Sequence, residues 1–493
     1  MCFHCMVSWC VCCSGTTELA MPTGRTWSGV LILAWLLTGV STQALVPRDM
    51  VIVVLSQGDS YHSSLAQELR NDIQEQALQA SQVIPIVHLT HEDFPHPGAW
   101  TVFPILSRLY ALHGANSSWI IFCESHTRFN LNQMLELFNN FSANEEMFIG
   151  HALHDREATI IHHFAFSDDP ERFKYPHFAS GFAMSQALLK KIALQMNHGN
   201  RPDVDFSIDP SHELALYIWD SGKGPALTHS SRLCLRNQPQ CASYVLEVQP
   251  CADPVAKESM YFGVKTCSKY HQDRIPIVKN TWAKYAVHIG FFSEEEDKSI
   301  PTIDLGIPNT EHGHCGKTMA ILRYVATFAP TAPDIKWVVI ADDDTILSVA
   351  RLQQLLSCFD SSKTVAIGER YGYNVQQAPQ GYNYITGGGG MVFSIAAVHR
   401  IATSAYCQCP SNSTPDDMFL GICLARLGIP ITHSPLFHQA RPLDYAPEYL
   451  DLQLPVSFHK HWMIDPIKVY SKWFSEVDQA MEAEGRSQEH IEL

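Results

Sequence analysis

Positive charge is scarce in this sequence. Of 493 residues, 34 are Lys or Arg and 50 are Asp or Glu, which gives a formal net charge of -16 with His neutral. A surface that binds nucleic acid needs a basic stripe to replace phosphate counterions, so this charge balance argues against a nucleic-acid partner. Charged residues make up only 17% and hydrophobic residues 46%, which is typical of folded globular domains.

Long apolar runs are lacking as well. The stretch Val30–Val40 has the length of a signal-peptide core and is too short to span a bilayer comfortably. Thr42-Gln43-Ala44 offers a small-residue cleavage site, so we predict a signal-peptide region at 1–44 and no stable membrane span in the mature chain. Met21 is the better candidate for the start, because cysteines crowd the residues before it. A short signal anchor is the alternative interpretation.

The C-terminal end of the chain resembles a targeting signal. Its last four residues, 490–493 (HIEL), resemble the KDEL class of retrieval signals. Together with an N-terminal signal, they predict residence in the lumen of the endoplasmic reticulum. Ten cysteines follow residue 44, and an even number in an oxidising lumen indicates disulfides whose pairing the sequence does not reveal. Cys407 and Cys409 are too close for an ordinary zinc knuckle, so we expect structural bridges there.

An internal repeat organises the rest of the chain. Each copy contains an apolar strand followed by a polar turn and an amphipathic helix, then two further matched segments in the same order. Strands that alternate with helices indicate a mostly parallel sheet covered on both faces. We therefore predict an α/β fold of two tandem Rossmann-like modules. The matched pairs are Trp119–Phe138 with Trp337–Leu356, Ser180–Ala193 with Gly389–Ala402, and His212–Ser231 with Asp416–Pro435.

The predicted boundaries follow from this repeat. The first module covers 45–230, a linker with Cys and Pro covers 231–259, the second module covers 260–480, and a tail covers 481–493. The second copy carries polar residues that the first copy has lost, so we predict that the chemistry lies in the second module and that the first is degenerate. The matched positions are Asp342–Asp344 against Cys123–Ser125, Gly387–Gly390 against Ser180-Gly181, and Asp416-Asp417 against His212-Glu213.

Three consecutive carboxylates follow a buried strand of the second module. Asp342, Asp343 and Asp344 repel one another unless a cation is near, and ligands of open α/β sheets bind at the carboxyl ends of strands. Side chains alternate along an extended backbone, so Asp342 and Asp344 share a face while Asp343 points away. This pattern is typical of a hard divalent ion whose shell is completed by substrate phosphates. The alternative is a solvated acidic turn with one Asp as a helix cap.

Three further features are candidates for the same site. The glycine run 387–390 allows close approach by a sugar or phosphate, with a flexible turn as the alternative. Asp416 and Asp417 begin a predicted helix, where a carboxylate serves either as a general base or as a cap. His438 is a candidate metal ligand, and the segment 457–462 (SFHKHW) is a second histidine cluster near the site. A single histidine is more often structural or solvated.

At these residues the sequence resembles the fringe-type β1,3-glycosyltransferases. The similarity spans essentially all of the second module, and it implies a GT-A-like fold, Mn²⁺ and a UDP-sugar donor. With the first copy and the lumenal ending added, it extends to the branch that adds glucose from UDP-glucose to O-linked fucose on folded thrombospondin type 1 repeats. The segments that carry it are Val264–Trp282, Phe291–Asp297, Trp337–Asp344, Thr386–Ser394 and Pro415–His438.

The resemblance also implies residue roles. Asp344, helped by Asp342 or Asp343, binds Mn²⁺ at the diphosphate, and His438 matches the metal-binding histidine. Asp417 matches the catalytic base, with Asp416 as the alternative. Positions that match the donor site are Thr266, Arg274, Asp342, Asp343, Gly387, Gly388 and Gly389.

The sequence departs from the family at two points. Cys267 stands where fringes carry Thr or another small residue, and both chain ends differ from those of Golgi-anchored members. Galactosyl or N-acetylglucosaminyl transfer is the rival to glucosyl transfer, because the pocket contacts that choose the donor are not visible in the sequence. A non-catalytic carbohydrate-binding protein of the endoplasmic reticulum is the rival of another class. A metal-dependent hydrolase would need more clustered ligands.

Overall fold

The apolar runs of the sequence form buried strands in the computed structural model. It describes residues 44–489 apart from 81, 200–201, 203–204, 248, 329–331, 333 and 377–379. Apart from Ala44, the predicted signal-peptide region therefore lies outside the described residues, and so does the HIEL ending. Within the described part, no helix is both long and apolar enough to cross a bilayer.

The first half of the chain alternates strands with helices. Its strands are β1 (Met50–Leu55), β2 (Ile86–Leu89), β3 (Trp119–Glu124), β4 (Thr127–Phe129), β5 (Phe148–Gly150), β6 (Ala152–Leu153), β7 (Tyr175–Pro176), β8 (Phe182–Ser185), β9 (Phe206–Ser207), β10 (Thr228–His229) and β11 (Ser243–Val245). Its α-helices are α1 (Ser60–Gln79), α2 (Thr90–Asp93), α3 (Phe103–His113), α4 (Leu131–Phe138), α5 (Gln186–Asn197) and α6 (Pro210–Trp219).

The second half repeats this alternation. Its strands are β12 (Met260–Lys265), β13 (His288–Phe292), β14 (Thr302–Ile303), β15 (Trp337–Asp342), β16 (Thr345–Leu347), β17 (Ala366–Gly368), β18 (Arg370–Tyr373), β19 (Tyr382–Ile385), β20 (Met391–Ser394), β21 (Ile431–His433) and β22 (Ser457–His459). Its α-helices are α7 (Ile275–Asn280), α8 (Cys315–Phe328), α9 (Val349–Leu356), α10 (Ile395–Thr403), α11 (Asp416–Arg426), α12 (Pro447–Leu450), α13 (Pro466–Trp473) and α14 (Ser475–Glu489).

The two main sheets have the same topology. The first runs β2-β1-β3-β8-β5-β10 and the second β14-β13-β12-β15-β20-β17-β21, so only β14 lacks a counterpart in the first. In each sheet the first strands are parallel, and β8 or β20 runs antiparallel to its neighbours. A small antiparallel pair also recurs, as β4 with β11 and as β16 with β22. The predicted α/β fold of tandem modules is confirmed.

Local sequence explains why the repeated helices begin where they do. Ser185 and Ser394 end equivalent strands, and each side chain accepts the backbone N–H three residues on, from Leu188 and Ala397. A serine in this place satisfies one of the backbone donors that a helix start leaves unpaired. Both copies of the repeat therefore end a strand and start a helix by the same hydrogen bond.

The described residues of the two halves, from Leu45 onward, form one compact unit. The predicted linker is part of this unit, because β11 pairs with β4 inside the first half and Cys251 is bonded to Cys358 of the second. Strand β9 of the first half pairs with β18 of the second. The predicted boundaries at 230 and 260 stay a prediction, although the gap between β10 and β12 falls there.

The predicted disulfides form. Eight of the ten cysteines after residue 44 pair, and Cys123 and Cys267 stay reduced and buried. Cys407 and Cys409 bond to different partners and not to each other, as expected of structural bridges. The pairs are Cys234–Cys241, Cys251–Cys358, Cys315–Cys409 and Cys407–Cys423.

The C-terminal helix α14 is held by one buried carboxylate. Asp478 accepts hydrogen bonds from Ser348 Oγ (2.6 Å), the backbone N–H of Ala350 (2.9 Å) and Tyr470 Oη (2.7 Å). Replacing it leaves three buried donors without an acceptor. We expect Asp478→Ala to lower the free energy of unfolding by about 2–4 kcal/mol in chemical denaturation with disulfides intact. Glu476→Ala, at an exposed position of the same helix, is the control, and equal effects of both changes would contradict this role.

Candidate active site

Two parallel strands bring a lysine to the first aspartate. β12 and β15 are in register so that Lys265 lies opposite Asp342 at the carboxyl ends of both strands. Lys265 Nζ lies 2.9 Å from Asp342 Oδ1 and donates to Asp416 Oδ2 at 2.6 Å. Burial lowers the pKa of Lys265, but the two carboxylates outweigh burial and raise it above its ordinary value. This lysine therefore ties the acidic turn after β15 to the start of α11.

The middle aspartate is held by two donors from the segment around β12. Asp343 Oδ2 accepts from Thr266 Oγ1 (2.8 Å) and Asp343 Oδ1 from Arg274 Nη1 (2.7 Å). Burial, which leaves its side chain nearly inaccessible, raises the pKa of Asp343 to about 6 against these hydrogen bonds. Arg274 also lies 3.0 Å from Asp344 Oδ2 and rests on the ring of Tyr270. Thr266 and Arg274, predicted at the donor site, thus hold the acidic turn in place.

The outer aspartates meet a histidine. Asp342, Asp344 and His459 each offer a ligand atom, and these atoms lie within 4.8 Å of one another. His459 Nε2 is 3.1 Å from Asp344 Oδ1 and 3.9 Å from Asp342 Oδ2. Burial raises the pKa of Asp344, yet His459 and Arg274 outweigh it and hold that pKa well below its ordinary value. We call these three residues the acidic-histidine set.

The acidic-histidine set is suited to a divalent cation. Carboxylate oxygens and an imidazole nitrogen suit ions such as Mn²⁺ and Zn²⁺. The other ring nitrogen, His459 Nδ1, lies 3.0 Å from the carbonyl oxygen of Gln439, and a bond of this kind directs Nε2 at the metal in known sites. Nearby, His461 Nε2 is buried and has no partner among the described residues, and burial lowers its pKa to about 4.

The predicted ligand His438 lies elsewhere. Its ring nitrogens are 3.0 Å from the Ser457 carbonyl oxygen and 2.9 Å from Gln453 Oε1, and its side chain is buried. Both nitrogens are therefore occupied by protein groups, and the prediction is corrected: the structure brings His459 to the carboxylates. The antiparallel pairing of β16 with β22, which sets Thr345 opposite His459, joins distant segments. In the sequence, only the histidine cluster at 457–462 indicated that a histidine of this segment lies near the carboxylates.

The glycine run supports the histidine. A Cβ on Gly388 would lie 2.4 Å from His459 Nδ1, so the ring needs a glycine there. Gly389 donates its N–H to Gln439 Oε1 (3.0 Å) and accepts from Ser457 Oγ. A Cβ on Gly387 would meet only Lys265 Nζ, at 3.8 Å. The glycine run, which the sequence predicts at the donor site, packs against His459 of the acidic-histidine set.

The two carboxylates at the start of α11 differ in environment. Asp416 Oδ2 accepts from both Lys265 and Thr318 Oγ1 (2.6 Å), and these contacts outweigh burial and hold its pKa down at about 2. Asp417 accepts only from the adjacent backbone N–H of Met418 among the described residues. Burial, followed by the neighbouring charge of Asp416, raises the pKa of Asp417 to about 6. Asp417 is therefore the carboxylate available to take a proton.

In the first half, the carboxylate that corresponds to Asp417 is hydrogen-bonded to other groups. Glu213 stands in the place of Asp417, but its carboxylate accepts from the backbone N–H of Ile208 (2.6 Å) and from Gln376 Nε2 (3.3 Å). The scaffold around it is retained: Thr127 Oγ1 bonds the N–H at the end of β3, as Thr345 Oγ1 does at the end of β15. The first half keeps the fold of the site without its chemistry.

Comparison with known proteins agrees with this architecture. The sequence model of the family described as Fringe-like matches residues 63–209 and 255–480. The chain is 49% identical to the β1,3-glucosyltransferase of Mus musculus over 437 residues, which cover 88% of this chain and 88% of that protein. It is also 49% identical to the β1,3-glucosyltransferase of Homo sapiens over 435 residues, covering 88% of this chain and 86% of that protein.

More distant similarities fall on part of the chain. The β1,3-N-acetylglucosaminyltransferase lunatic fringe of Homo sapiens is 26% identical over 210 residues, covering 38% of this chain and 55% of that protein. A solved structure of a glycosyltransferase involved in the glycosylation of the major capsid of PBCV-1 has a TM-score of 0.26 and 12% identity, covering 45% of this chain and 98% of that chain. This structural similarity is too weak to support any argument.

The packing of Gly388 against His459 can be tested. We expect Gly388→Ala to weaken Mn²⁺ binding by about 10–100-fold, because the added methyl group displaces the imidazole from Asp344. Isothermal titration calorimetry with Mn²⁺ measures this. Gly387→Ala, whose Cβ has room, is the matched control and should change the affinity by less than about threefold. Equal loss in both variants would show that loop flexibility and not the histidine contact matters.

Proposed function

Since the chain belongs to the fringe-like family and is a β1,3-glycosyltransferase, we propose that it transfers glucose from UDP-glucose to O-linked fucose. The acceptor we propose is a folded thrombospondin type 1 repeat in the lumen of the endoplasmic reticulum. One observation of the site carries this function: among the described residues, the Asp417 carboxylate accepts only from the adjacent backbone N–H of Met418. Its neighbour Asp416 is tied by Lys265 to the acidic-histidine set.

Glucose is favoured over the rival donors by sequence similarity. The relatives named β1,3-glucosyltransferase are 49% identical over 88% of this chain, whereas the relative named for N-acetylglucosamine transfer is 26% identical over 38%. The acceptor rests on the resemblance of the sequence to the branch that extends O-linked fucose. The lumenal location is supported by the disulfides and by the retrieval-type ending at 490–493.

The acidic-histidine set is the proposed metal site. When bound there, a divalent cation such as Mn²⁺ supplies the positive charge that a departing diphosphate needs. Asp342 and Asp344 contribute the carboxylates, and His459 contributes the nitrogen that Gln439 orients. Lys265 holds Asp342 in place at 2.9 Å, and Arg274 lies 3.0 Å from Asp344.

Asp417 is the proposed general base. It takes the proton of the acceptor hydroxyl as that oxygen bonds to the anomeric carbon of glucose and the bond to the diphosphate breaks, releasing UDP. Attack from the face opposite the leaving group inverts the configuration, so an α-linked donor gives a β linkage. Asp416 is a poor base, because Lys265 and Thr318 both bond to its Oδ2 and hold its pKa down at about 2. Through these contacts, Asp416 positions the start of α11.

Substitution of the base tests the assignment. We expect Asp417→Asn to lower kcat by about 10²–10⁴-fold with little change in Mn²⁺ affinity, because only proton transfer is lost. The assay follows sugar transfer from UDP-glucose, UDP-galactose and UDP-N-acetylglucosamine to an O-fucosylated thrombospondin repeat, with Mn²⁺ and with EDTA.

The design separates the parts of the proposal. Asp344→Ala should lose transfer through loss of metal binding, unlike Asp417→Asn. Glu171→Gln, an exposed carboxylate in the first half, is the control and should transfer normally. Faster transfer from another donor would overturn the choice of glucose and keep the mechanism. No transfer from any donor by folded protein would leave the non-catalytic alternative ahead.

The raised pKa of Asp417 also predicts a pH dependence. The base works when deprotonated, so it is active above its pKa of about 6. We expect kcat to be level above that pH and to fall about tenfold for each pH unit below it. A pH–rate profile at saturating donor, acceptor and metal measures this. A profile that stays level to pH 5 would contradict Asp417 as the base.

A further inference from the structure

A cavity that the proposed reaction does not use opens at the strand ends of the first half, and residues of both halves line it. Its volume is about 410 Å³, within the range of about 300–1,000 Å³ typical of small-molecule sites. It lies at the carboxyl ends of β1 and β3, where ligands of α/β sheets bind. Leu55 and Glu124, opposite one another there, match Lys265 and Asp342 of the active site. We call this space the first-half cavity.

The cation of the first-half cavity comes from the other half of the chain. Leu55 cannot neutralise Glu124 as Lys265 neutralises Asp342. Instead Arg370, the first residue of β18, enters the cavity, where its guanidinium lies 4.5 Å from the ring centre of Trp100 and 3.4 Å from Gln57 Oε1. Arg370 Nε is buried and has no hydrogen-bond partner among the described residues. This nitrogen is closed to solvent, while the guanidinium as a whole lines the cavity.

The carboxylate of Glu124 is a hydrogen-bond acceptor without a side-chain donor among the described residues. Glu124 lines the first-half cavity, and no described side chain donates a hydrogen bond to its carboxylate; only its backbone N–H is bonded, to Thr127 Oγ1. Burial raises the pKa of Glu124 to about 7, and Arg370 opposes that rise. Groups of this kind cost free energy unless a ligand or water satisfies them. The cavity wall therefore presents a donor and an acceptor to whatever fills it.

The rest of the wall combines aromatic rings with polar groups. Aromatic faces pack against the C–H faces of sugar rings, while carboxylates, amides and guanidinium groups bond to hydroxyls. A nucleoside diphosphate suits this space poorly, because Leu55 stands where Lys265 stands in the second half and Glu124 alone stands where the acidic turn begins. The aromatic residues in the wall include Tyr61, Trp100, Tyr175, Phe178, Tyr371 and Tyr449.

Solvent reaches the first-half cavity on one side. The lining includes Arg236, Glu247, Asp451 and Leu454, which are all exposed at the protein surface. Arg236 donates to the backbone carbonyl of Asp451 (3.0 Å), which joins the segment after β10 to the segment after α12. The cavity therefore has exposed residues in its wall at this face, where the Arg236–Asp451 bond spans its rim.

We propose that the first-half cavity binds a neutral sugar of one or two rings, with Glu124 accepting from its hydroxyls and Arg370 donating to them. The sugar is either free or the exposed end of a glycan on a protein. The degenerate half then serves as a carbohydrate-binding module that uses the old donor pocket for a different ligand.

Ligand-observed NMR on the full-length protein tests this proposal. The probes are methyl glycosides of glucose, galactose, mannose and fucose, the disaccharide maltose, and a glycopeptide that carries one O-linked hexose. We expect saturable binding of at least one probe, weakened at least about tenfold in Glu124→Gln, which removes the charged acceptor. Ala179→Phe, at a partly exposed wall position, should block binding by filling the space. The glycopeptide arm separates a protein-borne glycan from a free sugar.

The controls keep the outcome decisive. Glu171→Gln makes the same chemical change at an exposed site of the first half and should bind as the natural protein does. Sugar bound at the active site would not respond to either cavity variant. Binding unchanged in Ala179→Phe and Glu124→Gln, with both variants folded by circular dichroism, would overturn the proposal. Binding of no sugar probe would also overturn it, as would displacement of a bound sugar by UDP without metal in the Asp344→Ala protein.

Discussion

Repulsion among three consecutive aspartates at the end of β15 must be balanced by positive charge within a few ångströms. Lys265 balances Asp342, while Arg274 lies beside both Asp343 and Asp344. Each cation comes from the segment around β12, which pairs with β15 in parallel. The pairing of β12 with β15 in the second sheet therefore places these cations beside the aspartates. Without that neighbour, the three carboxylates would lack the cations that hold them together at the strand end.

The same strand order in the first half shows what happens when this charge balance is lost. Leu55 replaces the lysine, and Glu124 is left alone in place of the acidic turn. Arg370 then enters from the second half. Glu213, in the position of the base, is bonded to backbone and to Gln376. The fold tolerates these changes because its core of apolar strands does not depend on the polar residues at the strand ends.

The degenerate half also supports the active half. Trp100 Nε1 donates to Asn383 Oδ1 (3.0 Å) on β19, and Asn383 Nδ2 donates to the backbone of Pro97 (2.9 Å). Helix α11 packs on β19 at Gly421, where a Cβ would lie 2.6 Å from the Asn383 carbonyl oxygen. Since α11 begins with the two aspartates, the first half helps to set where Asp417 stands. This contact gives the first half a role in positioning the proposed base, in addition to the further binding we propose.

The sequence by itself determined the repeat, the α/β class, the acidic turn after β15 and the carboxylates at the start of α11. These are local patterns of burial, strand and helix period and charge, which neighbouring residues specify. Tertiary structure alone decided that His459 and not His438 meets Asp344, that Asp416 is occupied while Asp417 is free, and which cysteines pair. Each depends on contacts between segments far apart in the chain, such as the pairing of β16 with β22 and the reach of Lys265 to α11. Strand pairing and burial set those contacts only when the whole chain has folded.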